Sequence, residues 1–379
     1  MNVYLDNAAT TPLDNEVLQA MMPYFTEKFG NPSSIHAYGR ETKAAIERSR
    51  KTIAGYLNAS VGEIFFTSGG TETANLIIKC AVAQLGVKHI ISSRIEHHCV
   101  LHPVEELAKA GNVTLHFVDL DEHGNVDLQH LETLLQRTHK DALVCLMHAN
   151  NEIGNILPIE KVGELCESYG ALFFSDTVQT IAHLPIDLQK IKVHFISGAA
   201  HKFHGPKGVG FVYIRNSHAL CPLIHGGSQE RNMRAGTENI YGIVGLAKAM
   251  ELAYKNLEEH SAYIQGLKEY FYKKIQAAIP EVLVNGNYSG DSLYTVLNLA
   301  FPATEHADYL IYNLDINNIA ASAGSACTSG SEQGSHVLKE LKHANGKSSV
   351  RFSFSKFNTQ EELDYVVEKL KDVFVPSKS

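Results

Sequence analysis

Between about residues 60 and 215 the chain carries seven short apolar runs: EIFFT at 63–67, HIISS at 89–93, VTLHFV at 113–118, ALVCLM at 142–147, ALFFSD at 171–176, VHFIS at 193–197 and VGFVYI at 209–214. Their length predicts strands. Several are separated by stretches such as ETANLIIKCAVAQLG (72–86) and IEKVGELCESYG (159–170), in which apolar residues recur at three and four. That alternation predicts an α/β unit with a mainly parallel seven-stranded sheet covered by helices.

From Asn239 to Ile279 the pattern becomes one long, nearly uninterrupted helix, closed by Pro280 and the Asn285-Gly286 turn. Shorter alternating strands follow, LYTVLNLAF (293–301) and SVRFSFS (349–355), with helices over ADYLIYNL (307–314) and QEELDYVVEKLKDVF (360–374). The division expected is a large domain over 15–250 and a smaller α+β domain formed by 1–14 and 251–379. The sequence contains neither an internal repeat nor a low-complexity segment.

Parallel sheets place ligands beyond the carboxyl ends of their strands. Five polar clusters directly follow predicted strands: SGGTE after the first run, EHH after the second, HANNEIG after ALVCLM, DTVQ after LFFS, and HKFHG after VHFISGAA. All five are expected on one rim of the sheet.

The 379 residues are 44% hydrophobic and 20% charged, which is ordinary globular composition with chain enough for a large core. A net charge of −8, with no concentrated basic face, argues against nucleic-acid binding and favours a small-molecule ligand. The opening MNVYLDNAATTP lacks a basic segment followed by an apolar one, and no run of about 18 apolar residues occurs, so a cytoplasmic protein without membrane insertion is expected.

Six cysteines are spread without CxxC spacing, which fits reduced thiols better than disulfides or a zinc site. Cys80, Cys99, Cys145, Cys166 and Cys221 sit among apolar neighbours and read as small buried hydrophobes. Cys327 differs, because SAGSACTSGSEQGS has two glycines before Glu332 and no large apolar side chain, as an accessible loop would.

The rim residues divide by chemistry. In SGGTETANL, Ser68–Thr71 bridge a strand and a helix, where backbone N–H groups and the helix dipole suit a phosphate; a plain Ser or Thr cap with Glu72 behind it is the alternative. Neither GxxxxGK[ST] nor GxGxxG is present, which disfavours a nucleotide. Asp176 ends an apolar strand, where a carboxylate is costly without a cation to pair with; it either faces such a cation or caps the next helix. Lys202 follows VHFIS among small residues that leave room for a planar ligand, and burial would suit it to imine formation. His97 and His201 lack HExxH spacing, so a metal site is disfavoured and a flat ring stacked on a flat ligand is preferred.

Together these residues resemble the cysteine desulfurases of the class-V, pyridoxal 5'-phosphate (PLP)-dependent aminotransferase superfamily. The resemblance is collinear over nearly the whole chain and includes YLDNAATTP, GNPSSIHAYGR, FTSGGTE, EHHCVL, MHANNEIG, SDTVQ, HKFHGPKGVG, ERNMRAGTEN, SAGSACTSG and VRFSFS. It implies the PLP-dependent transferase fold of type I. It further implies that Lys202 links to PLP, Asp176 pairs with the pyridine nitrogen, His97 stacks on the ring, and Gln179 bonds the phenolic oxygen. Gly70, Thr71 and His201 would hold the phosphate, joined by Thr237 from the second subunit of a homodimer. Asn151 and Arg351 would receive the substrate, the guanidinium of Arg351 clamping its carboxylate.

The implied reaction removes sulfur from L-cysteine, giving L-alanine and a persulfide on Cys327, with the freed lysine or His97 moving the α proton and either the substrate or His97 deprotonating the thiol. The stretch around Cys327 resembles the longer, flexible loop type, which hands sulfur to iron-sulfur scaffold proteins and other acceptors. Ala199 departs from relatives that carry a phosphate-binding serine three residues before the lysine, and EQGSH departs in the acceptor loop. Selenocysteine lyase or aminotransferase chemistry on the same fold is the alternative, and a non-enzymatic PLP-binding homologue the more distant one; Cys327 separates the desulfurase from an aminotransferase.

Overall fold

The computed structural model of the chain describes residues 1–215, 218, 220–303, 309–323, 334–341 and 347–374. Its strands are β1 (Val3–Tyr4), β2 (Ile64–Thr67), β3 (His89–Ser92), β4 (Thr114–Phe117), β5 (Ala142–Cys145), β6 (Leu172–Asp176), β7 (Phe195–Ala199), β8 (Gly210–Ile214), β9 (Leu283–Val284), β10 (Val296–Phe301), β11 (Ile319–Ala320) and β12 (Ser348–Ser353).

The seven expected strands form one sheet in the order β2-β8-β7-β6-β5-β3-β4. Only β8 runs against the rest, antiparallel to both β7 and β2, so the carboxyl ends of the other six share one edge. Residues alternate between two apolar layers: Ile64 and Phe66 enter one core with Val144, Phe173 and Ile196, whereas Phe65 enters the other with Leu143, Phe174 and Phe195. Helices cover both faces, which is why these strands read as continuous apolar runs instead of alternating ones. Close strand packing needs small residues: a Cβ on Gly210 would lie 2.7 Å from Gly69 Cα, so the turn after β2 could not rest on β8.

A separate core gathers Val3 and Leu5 with Phe271, Leu297, Phe352 and Leu363. Its antiparallel sheet has the order β12-β10-β9, and β1 pairs in parallel with β11. The expected single long helix is instead two, Ile240–Lys255 and Leu257–Ala278. Asn256 breaks it: its amide Nδ2 donates to Leu252 O at 2.9 Å, a side-chain bond that competes with the helical backbone ladder. Among the described residues no helix is long and apolar enough to cross a membrane.

Candidate active site

The turns after β2, β3, β5, β6 and β7 meet at one cavity of about 270 Å³, lined in turn by Gly70 and Thr71, His97, Asn151, Asp176 and Gln179, and His201 with Lys202. The parallel strand directions bring these together from more than 130 positions of sequence. Arg351 of β12 and the N-terminal Ala8 and Ala9 close the remaining side.

Lys202 ends a short 3-10 turn (Ala200–Lys202) at the tip of β7. Its Nζ donates to Ala8 O at 2.6 Å and Ala9 O at 2.8 Å, so the amine rests on neutral carbonyls. The ring of His183 contacts Lys202 O at 3.1 Å and Tyr294 Oη at 3.2 Å, tying the lysine's backbone to the other core.

Asp176 is buried, and its Oδ1 accepts from Val178 N–H at 3.0 Å and Ser197 Oγ at 2.9 Å. Ser197 reaches it because the two residues are register partners across β6 and β7. That hydroxyl is therefore committed to the carboxylate, while Ala199 lines the cavity itself.

His97 is the N-cap of helix His98–Lys109, its Nδ1 accepting from Cys99 N–H at 3.1 Å. Burial pushes the imidazole below its ordinary pKa, more than Asp176 raises it. A neutral ring whose Nδ1 accepts carries its proton on Nε2. His201 is also neutral near pH 7, lowered to about 4 by burial and then by Lys202 and Lys207, with its Nδ1 3.2 Å from Thr10 Oγ1. Gln179 Nε2 donates to Ala8 O at 3.0 Å.

The helix Gly70–Gln84 starts without a side-chain cap: its N-cap is Gly69, at φ 148°. Glu72, a candidate capping partner, instead accepts from Ser68 N–H at 2.9 Å and pairs with Arg234 at 3.0 Å. First-turn N–H groups thus stay open to an anion at the positive end of the dipole.

Arg351 is 1% exposed. One terminal nitrogen donates to Asn151 O and the other to Asp6 Oδ1, both at 2.8 Å, while its Nε is buried without a partner. An orphaned buried donor is costly. An anion-holding helix start, a buried carboxylate, a lysine amine and a guanidinium together fit PLP with an amino acid.

One sequence candidate is not in this cavity, and another cannot be placed. Thr237 is exposed and lines a separate groove with Ser68 and Arg234, and Cys327 lies outside the described residues. Conversely, Asp6, Ala8, Ser197 and Cys99 belong to the site and were not singled out from sequence as site residues. Cys99 is buried, as expected for a core thiol, yet it also forms part of the cavity wall. A carboxylate in YLDNAATTP was the one available signal, for Asp6.

The model of the aminotransferase class-V family matches residues 3–366. A cysteine desulfurase IscS of Dictyoglomus turgidum is 44% identical, the match covering 98% of this chain and 94% of the relative. The cysteine desulfurase NifS of Azotobacter vinelandii is 40% identical over 98% of this chain and 92% of its own. Among solved structures, a NifS-like protein superimposes with a TM-score of 0.90 at 37% identity, covering 99% of both chains. The chain belongs to the class-V aminotransferase family, among its cysteine desulfurases.

Proposed function

We propose that this chain is a PLP-dependent cysteine desulfurase that takes sulfur from free L-cysteine, releases L-alanine and carries the sulfur as a persulfide on Cys327. The observation that carries the reading is the convergence of Lys202, Asp176, His97 and Arg351 on one cavity, in a chain 44% identical to a cysteine desulfurase.

Bound here, PLP would supply an electron sink for negative charge at the substrate's α carbon. Gly70, Thr71 and His201 would hold its phosphate, Asp176 would keep the ring nitrogen protonated, Gln179 would bond the phenolic oxygen, and His97 would stack on the ring. Arg351, whose side chain lines the cavity, would receive the substrate carboxylate, helped by Asn151. Lys202 would be the covalent attachment point, and its amine would be the base that takes the substrate's α proton. His97 is less suited to that step, since Nδ1 is engaged by Cys99 N–H and Nε2 is already protonated. Its Nε2–H can donate a hydrogen bond instead. Cys327 thiolate attacks the substrate sulfur: an S–S bond forms, the C–S bond breaks with its electrons left on the β carbon, and that carbon takes a proton to become alanine.

The protein acts as a homodimer in the cytoplasm and passes sulfur to an iron-sulfur scaffold or other acceptor protein. Ile35, 90% exposed, and the exposed Phe25, Phe29, Tyr38 and Tyr241 support a covering second copy, and Tyr241 is four residues along the chain from Thr237, the residue read as reaching the partner's phosphate. The two cores support a large domain of 15–250 with a smaller one of 1–14 and 251–379.

Incubation with L-cysteine followed by quantification of alanine and mapping of the persulfide tests the reading. Equal alanine and persulfide on Cys327 are expected, with neither formed by Cys327→Ala. Undiminished sulfide release by that variant refutes it.

A further inference from the structure

Asp176 has two oxygens with different surroundings. Oδ1 is filled by Val178 N–H and Ser197 Oγ–H, whereas Oδ2 is approached by Cys99 Sγ at 3.7 Å, within range of a thiol hydrogen bond. Both residues are buried, and both border the cavity. We propose that Cys99 is a positioning residue for the cofactor's ring nitrogen, completing with Val178 and Ser197 a three-donor set that tunes the basicity of Asp176. The proposal rests on the PLP reading above.

Each donor bonded to a carboxylate stabilises its ionised form and makes it a weaker base. A weaker base at Asp176 leaves the shared proton on the ring nitrogen, where it strengthens the electron sink. Cys99 can serve only as a donor: burial first, then the negative field of Asp176 and Glu96, push its thiol well above the ordinary range, so it stays S–H. Thiol donors are weak, so the bond adjusts Oδ2 without withdrawing it from the ligand.

The titratable groups facing Asp176 are few. Glu96, raised to about 8 by burial and by Asp176, precedes the helix that carries Cys99; His97 is neutral; Lys202, in the turn after β7, lines the same cavity. Removing the Cys99 thiol leaves these in place. A purely structural Cys99 would matter through packing alone, and alanine and serine would then act alike. A tuning Cys99 separates them, because serine keeps a hydroxyl donor and alanine has none.

The test uses Cys99→Ala, Cys99→Ser and, as a control, Cys80→Ala, a buried thiol outside the cavity whose Sγ donates to Cys221 O at 3.0 Å. Each protein is reconstituted with PLP, and the pH midpoint of the bound cofactor's visible band and the Kd for PLP are measured. Loss of the donor lets Asp176 draw the proton from the ring nitrogen, so the lysine-linked nitrogen holds its own proton more tightly. Cys99→Ala is expected to raise the midpoint by about half a pH unit, about threefold in proton affinity. Cys99→Ser should fall at or below wild type, and Cys80→Ala should match it. Superimposable titrations for Cys99→Ala and wild type, or equal shifts for alanine and serine, overturn the proposal. A wild-type protein that takes up no PLP and shows no visible band overturns the PLP reading itself.

Discussion

Lys268 is a cation in the wrong place for stability, and the consequence can be worked through. It lies on helix Leu257–Ala278, 1% exposed, with Nζ donating to Ser292 Oγ at 2.9 Å and Leu293 O at 3.0 Å. Burial lowers its pKa from 10.5 to about 8, with Glu269 offsetting part of the effect through space. In the unfolded chain it returns to 10.5, so between pH 8 and 10.5 the unfolded state binds the extra proton and stability rises with pH. Below pH 8 the full penalty applies, about 3 kcal/mol for such a shift. Lys268→Met removes it but strands Ser292 Oγ and Leu293 O at about 1 kcal/mol each, for a net gain of about 1 kcal/mol at pH 7. From pH 7 to 10 the wild type recovers about 2.5 kcal/mol, so the two stability curves should cross near pH 9. Urea unfolding of both proteins at pH 7, 8, 9 and 10 reads this directly. Parallel curves would refute a buried, charge-penalised Lys268. The geometry also says why the residue is tolerated: the turn it braces donates Leu293 N–H to Gly154 O at 2.8 Å, and so supports the loop that carries Asn151.

Two further outcomes follow from buried ion pairs. Arg351→Lys keeps the charge but loses the planar guanidinium and its Asp6 and Asn151 contacts, so the KM for L-cysteine should rise about 30-fold, about 2 kcal/mol, with kcat within a few-fold; an unchanged KM would sink the carboxylate role. Arg50 meets Glu230 through two bonds of 2.8 and 2.9 Å, and Glu230 also accepts Phe66 N–H at 2.8 Å. Arg50→Met should cost about 3 kcal/mol in urea unfolding by leaving Glu230 buried and unpaired, and Arg50→Met combined with Glu230→Gln should cost less than the sum of the two single changes. Strict additivity would contradict the coupling.

The large sheet was legible because its strands are buried on both faces: a run such as ALVC of β5 has no polar residue to interrupt the signal, and the helices between such runs leave the parallel topology as the economical solution. The helix break at Asn256 was not legible, since one asparagine among good helix formers costs little locally. Its effect depends on whether the side chain turns back onto Leu252 O, which periodicity does not report.

The same distinction divides the site. Lys202, Asp176, His97 and Gly70 each directly follow or end an apolar run, so one rule about strand ends finds them all without knowing which strands are neighbours. Ser197 and Cys99 need that missing knowledge. Ser197 matters because β6 and β7 pair with Asp176 opposite Ser197, a register that no single strand encodes. Cys99 matters because the turn after β3 folds its helix start over the end of β6, bringing a thiol 77 residues away in sequence to within 3.7 Å of the carboxylate. Read locally, both are unremarkable core residues, one a serine in a strand and the other a cysteine among apolar neighbours. Residues that hold the ligand are thus marked by their position on the chain, whereas residues that tune those ligands are marked only by strand order and register. Substitutions that leave the reactive set intact but alter the tuning should therefore change spectra and pH profiles before they change what reaction is done.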